Sequence, residues 1–351
     1  MNMKKILSLM LLMAAVCGLA KAHDFVVTLN GQKVYFNIVS EKNRTVEITY
    51  NGSIADGKPT YYEGELAVPA KVRHNNTIYS VAGIGAKAFC GADRLTGIVL
   101  PEGLKAIGDF AFEGCTSLER IIFPGGSVNF GEGVFFKCDK IQDVSFGSDW
   151  KEVDLKMFRW SDSLVSITIP AKMEKIINMK SLKHLETVSV DINNGRFSSV
   201  DGILYNKGGN TLYGCPRAYA GVLKVAEGTE TITPGAFIDC KYIVKADLPA
   251  SLVSMSFREF SRMPGLETVI LRSETPVNTA KGKDGEVFLL QVASPDVQIV
   301  IPKKAKKAYE AAMAKEPGEY SDLSDDRPFL VEKDRMPGVK NLKAVNDFSK
   351  Y

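Results

Sequence analysis

An α/β solenoid is the fold class the sequence predicts: coils stacked on a parallel strand sheet, each returning through short helical or irregular segments. The first observation is a pattern written twice. Leu95-Thr-Gly-Ile98-Val-Leu100-Pro101 continues to Ile107-Gly108 and Ala111-Phe112-Glu-Gly-Cys115. The second copy starts 23 residues later with Leu118-Glu-Arg-Ile121-Ile-Phe123-Pro124 and continues to Phe130-Gly131 and Val134-Phe135-Phe-Lys-Cys138. Second, the same step links Ile84, Ile107, Phe130, Val153 and Ile176, and also Phe89, Phe112, Phe135 and Phe158. Third, Leu95 recurs as Leu118, Ile141, Leu164, Leu185, Ile243 and Leu266, each followed by apolar residues at plus three and plus five. Those two positions share one face of a strand. A fixed period of this length carrying L-x-x-L-x-L marks a leucine-rich repeat solenoid.

In chain order, residues 1–22 read as a signal peptide: Lys4-Lys5, an apolar run from Ile6 to Val16, and the small-x-small site Ala20-Lys21-Ala22. Cys17 opens a lipid-anchor alternative, but Val16 stands where a small residue is expected before it. Removing Lys4, Lys5 and Lys21 leaves 41 basic residues against 41 acidic ones, so the formal +3 disappears. With it goes the composition-level case for a nucleic-acid partner. No later apolar run reaches the roughly 18–20 residues of a membrane span. The expected location is therefore secreted or cell-surface.

Residues 23–62 lack the repeat and read as a β N-terminal cap, with Phe25–Leu29 and Val34–Ile38 flanking the turn Asn30-Gly31 and a second turn expected at Asn51-Gly52. A terminal coil leaves its core face open, so an atypical end unit is required. Residues 63–302 read as the solenoid of about 23-residue repeats, interrupted at 193–215 by a hairpin insertion. Inward columns are expected: Ile98, Ile121, Val144, Ile167, Val188, Ala246 and Val269 beside Leu100, Phe123, Phe146, Ile169, Val190, Leu248 and Leu271. Residues 303–351 read as a helical C-terminal cap followed by a loosely attached polar tail. Ala305, Ala308, Tyr309 and Ala312 are expected on the cap's apolar face, and Lys303, Lys304, Lys306 and Lys307 on its wet face.

The sequence offers little chemistry. Histidine occurs only at 23, 74 and 184, and there is no H-E-x-x-H, G-x-S-x-G or phosphate-cradling loop. No catalytic, cofactor-binding or metal-binding residue is assigned, and no cofactor. The five cysteines beyond the signal peptide are an odd number without close pairing, so they read as small buried repeat residues rather than a disulfide framework. A polysaccharide hydrolase or lyase on a β-solenoid is the competing class. It needs two acids within about 5–10 Å, and Asp143 and Asp247, on outward strand positions, lie in well-separated coils. Trp150 replaces Leu104 in the repeat and reads as core; Trp160 stands in a surface-compatible column.

The recurring strand-Pro, Ile-Gly, Ala-Phe-x-x-Cys pattern resembles BspA-like leucine-rich repeats, a bacterial surface-antigen type. The resemblance covers about residues 33–310 and includes Ser199-Val-Asp-Gly-Ile-Leu-Tyr205 and Cys215-Pro216 of the insertion. It implies a cell-surface or secreted binding module of adhesion type, with a protein or glycan ligand, host surface or matrix included, and no catalytic residues. A purely structural surface protein is the remaining alternative. At plus two and plus four from each repeat leucine the side chains must point outward. That places Arg120, Ile122, Asp143, Ser145, Ser166, Thr168, Thr187 and Ser189 on one strip. Four strands about 4.8 Å apart make it roughly 15 Å wide. This strip is the candidate ligand-binding surface.

Overall fold

Asn30 and Gly31 both adopt positive φ, 47° and 79°, the backbone of a tight hairpin turn. They join Phe25–Leu29 antiparallel to Gln32–Ser40, which pairs antiparallel with Thr45–Thr49. The computed structural model describes residues 23–51, 62–282, 285–287, 290–294, 296–313, 319–322, 325–330 and 342–351. The signal-peptide reading of 1–22 falls outside them, as does Gly52 of the second expected turn. The chain divides into two compact units, Met1–Leu118 with Val128–Cys138, and Glu119–Ser127 with Asp139–Tyr351.

In the first unit the 23-residue step becomes backbone register. Ile84 pairs with Ile107 across parallel strands and Ile107 with Phe130, while Ile48, from the segment without the repeat, joins the ladder beside Ile84. Between coils the return segments form a second ladder. Lys87, Phe89 and Gly91 donate their N–H groups to the carbonyls of Asp109, Ala111 and Glu113. Phe110, Phe112 and Gly114 repeat this toward Glu132, Val134 and Phe136 at 2.8–2.9 Å. The returns are thus irregular hydrogen-bonded turns; Lys306–Met313 is the one α-helix among the described residues. Inside them Phe89, Phe112 and Phe135 are fully buried and stack, with centroids 4.9 and 5.3 Å apart.

The Ile-Gly element has a steric cause. A Cβ on Gly108 would sit 2.5 Å from the Ala86 nitrogen, and one on Gly131 2.5 Å from the Asp109 nitrogen. Adjacent coils approach too closely there for any side chain. Gly131→Ala should therefore lower stability by about 1–3 kcal/mol, as overpacking does, measurable as a fall in denaturation midpoint with unchanged slope.

In the second unit, Gly221–Lys224, Ile243–Leu248, Thr268–Leu271 and Gln298–Pro302 form a parallel sheet with Leu223, Ala246, Val269 and Ile299 in register. All four are fully buried. Of the fourteen residues expected in the inward columns, only Phe146 and Val190 are part-exposed. Trp150 is buried against Phe123 and Phe146, and its indole N–H donates to the Pro124 carbonyl at 2.8 Å. Trp160 is 40% exposed.

Two expectations change. Leu342–Val345, within the expected loose tail, is a strand that pairs parallel with Gln298–Pro302. Leu342 and Ala344 pack on the core, and the strand covers an edge that would otherwise be open. Ala308 is exposed, while Ala305 and Tyr309 are buried. The helix opens with a 3-10 turn, Lys303–Ala305, and Ala305 and Tyr309 then face inward with the part-buried Ala312 packed on the same core. The Tyr309 hydroxyl donates to the Thr275 carbonyl at 3.1 Å. Lys303, Lys304, Lys306 and Lys307 are exposed.

Cys115, Cys138, Cys215 and Cys240 are buried free thiols. Cys115 and Cys138 donate S–H to the Phe89 and Phe112 carbonyls at 3.1 and 3.0 Å, so each closes onto the coil before it. Burial pushes the Cys115 and Cys215 thiols well above the usual range. Because the thiolate is the nucleophile, iodoacetamide at neutral pH should leave these buried cysteines unlabelled until the chain is denatured. Folding holds their protons past about pH 8.5, where an unfolded thiol ionises. Their contribution to stability is therefore present below that pH and lost as pH rises further.

Candidate functional site

The predicted strip lies wholly in the second unit, on strands Arg120–Ile122, Asp143–Ser145, Ser166–Ile169 and Thr187–Val190. Their central residues Ile121, Val144, Ile167 and Val188 are buried, so period-two alternation turns the flanking side chains outward. Arg120, Asp143, Ser145, Ser166, Thr168 and Ser189 are exposed, and Ile122 and Thr187 are part-exposed. Asp143 stands opposite Arg120 and Ser145 opposite Ile122. Ser166 stands opposite Thr187 and Thr168 opposite Ser189.

The eight residues are thus brought together as two parallel strand pairs. Asp143–Ser145 and Ser166–Ile169 belong to different hydrogen-bonded sheets. Gly147 lies against the previous coil, where a Cβ would be 2.5 Å from the Gly125 nitrogen. On the other side a cavity of about 260 Å³ opens, lined by Ser145, Ser148, Thr168, Pro170 and Asp191, with the part-exposed Phe146 as its apolar wall. The strip therefore has relief: polar hydroxyls on both lips, one carboxylate at the side and a ring below.

Electrostatically the strip is mild. Arg120 Nε lies 3.3 Å from Asp143 Oδ2, with both side chains about half exposed. Such a surface pair contributes about 0–1 kcal/mol to folding, so these groups can exchange partners cheaply. Serine and threonine hydroxyls donate and accept, which suits polar recognition. The arrangement holds no nucleophile–base pair, and the cavity has a single lining acid. Asp247 is held by Arg272 through two hydrogen bonds of 2.7 and 2.8 Å. The adjacent acids Asp325 and Asp326, which the sequence places in the polar tail as a solvated pair, have side chains outside the described ones.

The histidines do not converge. His74 stacks on Phe25 at 4.3 Å, and exposed His184 lies 3.4 Å from Asp162. Among the described residues no group of three His, Cys, Asp or Glu side chains could hold a metal ion, and no helix is long and apolar enough to cross a membrane.

Sequence reasoning missed Asn194. Fully buried, it donates to the Pro170 and Met173 carbonyls at 2.8 and 3.0 Å and accepts from the N–H groups of Arg196 and Phe197. One amide thereby anchors the insertion to the coil beneath. The insertion itself is an antiparallel meander of Phe197–Val200, Ile203–Asn206 and Thr211–Gly214. The only sequence signal was its place in the Asn193-Asn194-Gly195 turn.

Solved structures of similar fold include a leucine rich cell surface protein from Faecalibacterium prausnitzii, 19% identical over 81% of this chain and 90% of that one, with TM-score 0.41. The pneumococcal vaccine antigen PcpA is 16% identical over 84% and 97%, TM-score 0.40. A leucine-rich repeat protein from Bacteroides ovatus is 20% identical over 80% and 79%, TM-score 0.40. No protein of curated description matches the chain significantly. The BspA type Leucine rich repeat region matches in six copies over residues 75–199 and 210–280, more than half of the sequence, and with its coils in register the chain belongs to the BspA-type leucine-rich repeat family.

Proposed function

We propose that the protein is an exported binding module that engages a partner protein or glycan, in an adhesion-type role, through the outward strand faces between residues 119 and 190, without transforming it. The observation that carries this reading is the strip. Eight side chains on two parallel strand pairs present hydroxyls, one ion pair and an apolar contact, and Ser145 and Thr168 among them line a cavity. Repeat proteins bind on such extended surfaces. On this reading residues 23–62 and 303–351 are end pieces of the solenoid, since a terminal coil leaves its core face open. The signal-peptide pattern at 1–22 supports the proposed export.

Binding is favoured over hydrolysis because glycosidases pair two carboxyl groups, whereas the cavity beside the strip has only Asp191 among its lining acids. The test offers purified mature protein to immobilised matrix proteins, mucins and bacterial envelope fractions, and separately to a polysaccharide panel. Saturable binding without new reducing ends or unsaturated products is the expected result. Turnover that disappears when Asp191 or Asp143 is replaced by asparagine would establish the hydrolase or lyase class instead. Absence of any saturable partner would leave a purely structural role.

A further inference from the structure

A second cavity, of about 410 Å³, lies between Lys175–Ile177 with its following 3-10 turn, Met179–Ser181, and the insertion strand Thr211–Gly214. Its volume falls in the range of small-ligand sites. Gly214 makes the room: a Cβ there would sit 2.5 Å from the Met179 methyl. One wall is aromatic, formed by Phe197 and Tyr213 packed edge to face at 5.8 Å. Phe197 is buried, but Tyr213 is 38% exposed and is one of the residues lining the cavity.

The rim is basic. Lys175, Lys180, Arg196 and Arg217 line it against a single lining acid, Glu174. Lys175 is already paired with Glu152 at 2.6 Å. Arg217 is held by Asp239 at 2.6 Å and by the Lys180 carbonyl at 2.8 Å. Among the described residues neither Arg196 nor the Lys180 ammonium has an acidic partner, and both residues are exposed. Two uncompensated cations against Glu174 leave one net positive charge, which matches a monoanion better than a phosphate dianion or a polyanion.

The strand beside the cavity is paired on both sides, with Ile203–Asn206 and with Thr231–Ile232. It offers no free edge to an extended peptide, which removes the commonest backbone mode of peptide capture. What remains is a cavity with an aromatic wall and two cations without acidic partners among its lining residues. Pyranose rings carry weakly positive C–H groups that pack on the negative face of an aromatic ring, and a carboxylate fits the planar fork of arginine. We propose that this cavity binds an acidic sugar, a pyranose bearing one carboxylate, with its ring against Tyr213 and its carboxylate at Arg196. The site is separate from the strip and stands or falls independently of it.

Titration calorimetry on the full mature chain tests this with glucuronate, and with glucose, acetate and hexaglutamate as comparisons. Saturable glucuronate binding is expected, at least ten-fold tighter than any comparison. It should weaken at least ten-fold in both Arg196→Glu and Tyr213→Ala, each a surface change whose melting curve serves as control. Arg120→Glu combined with Thr168→Lys should leave it unchanged. The proposal is overturned if glucuronate does not saturate, or if acetate or hexaglutamate binds as tightly, which would mean a simple charge or peptide site. Survival of binding in either cavity variant also overturns it.

Discussion

Phe112→Ala and Phe135→Ala are each expected to cost about 3–5 kcal/mol of stability, the range for deleting a buried phenylalanine. Both rings are fully buried and stack face to face at 5.3 Å, with Phe89 continuing the column 4.9 Å beyond Phe112. Neither site can collapse onto the void easily. The backbone on either side is fixed by the ladder from Phe110, Phe112 and Gly114 to the next return, and the Cys138 thiol is bonded to the Phe112 carbonyl. By comparison, the exposed ion pairs of this protein contribute at most about 1 kcal/mol each, so the aromatic column outweighs any of them. Repeats interact mainly with their neighbours. Hydrogen exchange should therefore quicken first between residues 84 and 138, while the sheet spanning residues 221–302 keeps its protection. Unchanged melting in both variants would contradict the column's place in the core.

The period was legible because a solenoid turns sequence spacing into spatial adjacency. Ile84, Ile107 and Phe130, read as every twenty-third residue, are the residues that the parallel ladder joins. The same rule holds for Val153 and Ile176. Alternation within each strand then assigned inward and outward faces, which is why the buried columns could be read without coordinates. Trp150 was readable as core from its repeat position alone.

What the period does not encode was not legible. The Leu342–Val345 strand pairs with a segment some forty residues earlier and shares no repeat with it. The cavity beside Ser145 and Thr168 lies where adjacent strands fail to pair, which the spacing does not encode. The basic cavity gathers Arg196, Tyr213 and Lys180 from three elements folded together by the insertion. Its key anchor, Asn194, looks in sequence like any turn asparagine. Side-chain direction at single strand positions was readable; the relief between strands was not.

The strip is tested most directly by the affinity of the Arg120→Glu, Thr168→Lys double variant for a matrix protein, mucin or envelope component that the wild type binds saturably. Arg120 and Thr168 lie in different strand pairs, and Thr168 lines the cavity that Ser145 borders from the other side. The first change reverses the charge at one end and sets two acids side by side at Asp143. The second places a long cation over the hydroxyl-lined opening. Both positions are exposed, so the melting temperature should barely move, because losing a surface ion pair costs about 1 kcal/mol or less. We expect binding to weaken at least ten-fold, about 1.4 kcal/mol or more, with the fold intact. Undiminished affinity in a folded double variant would contradict a docking role for these strand faces.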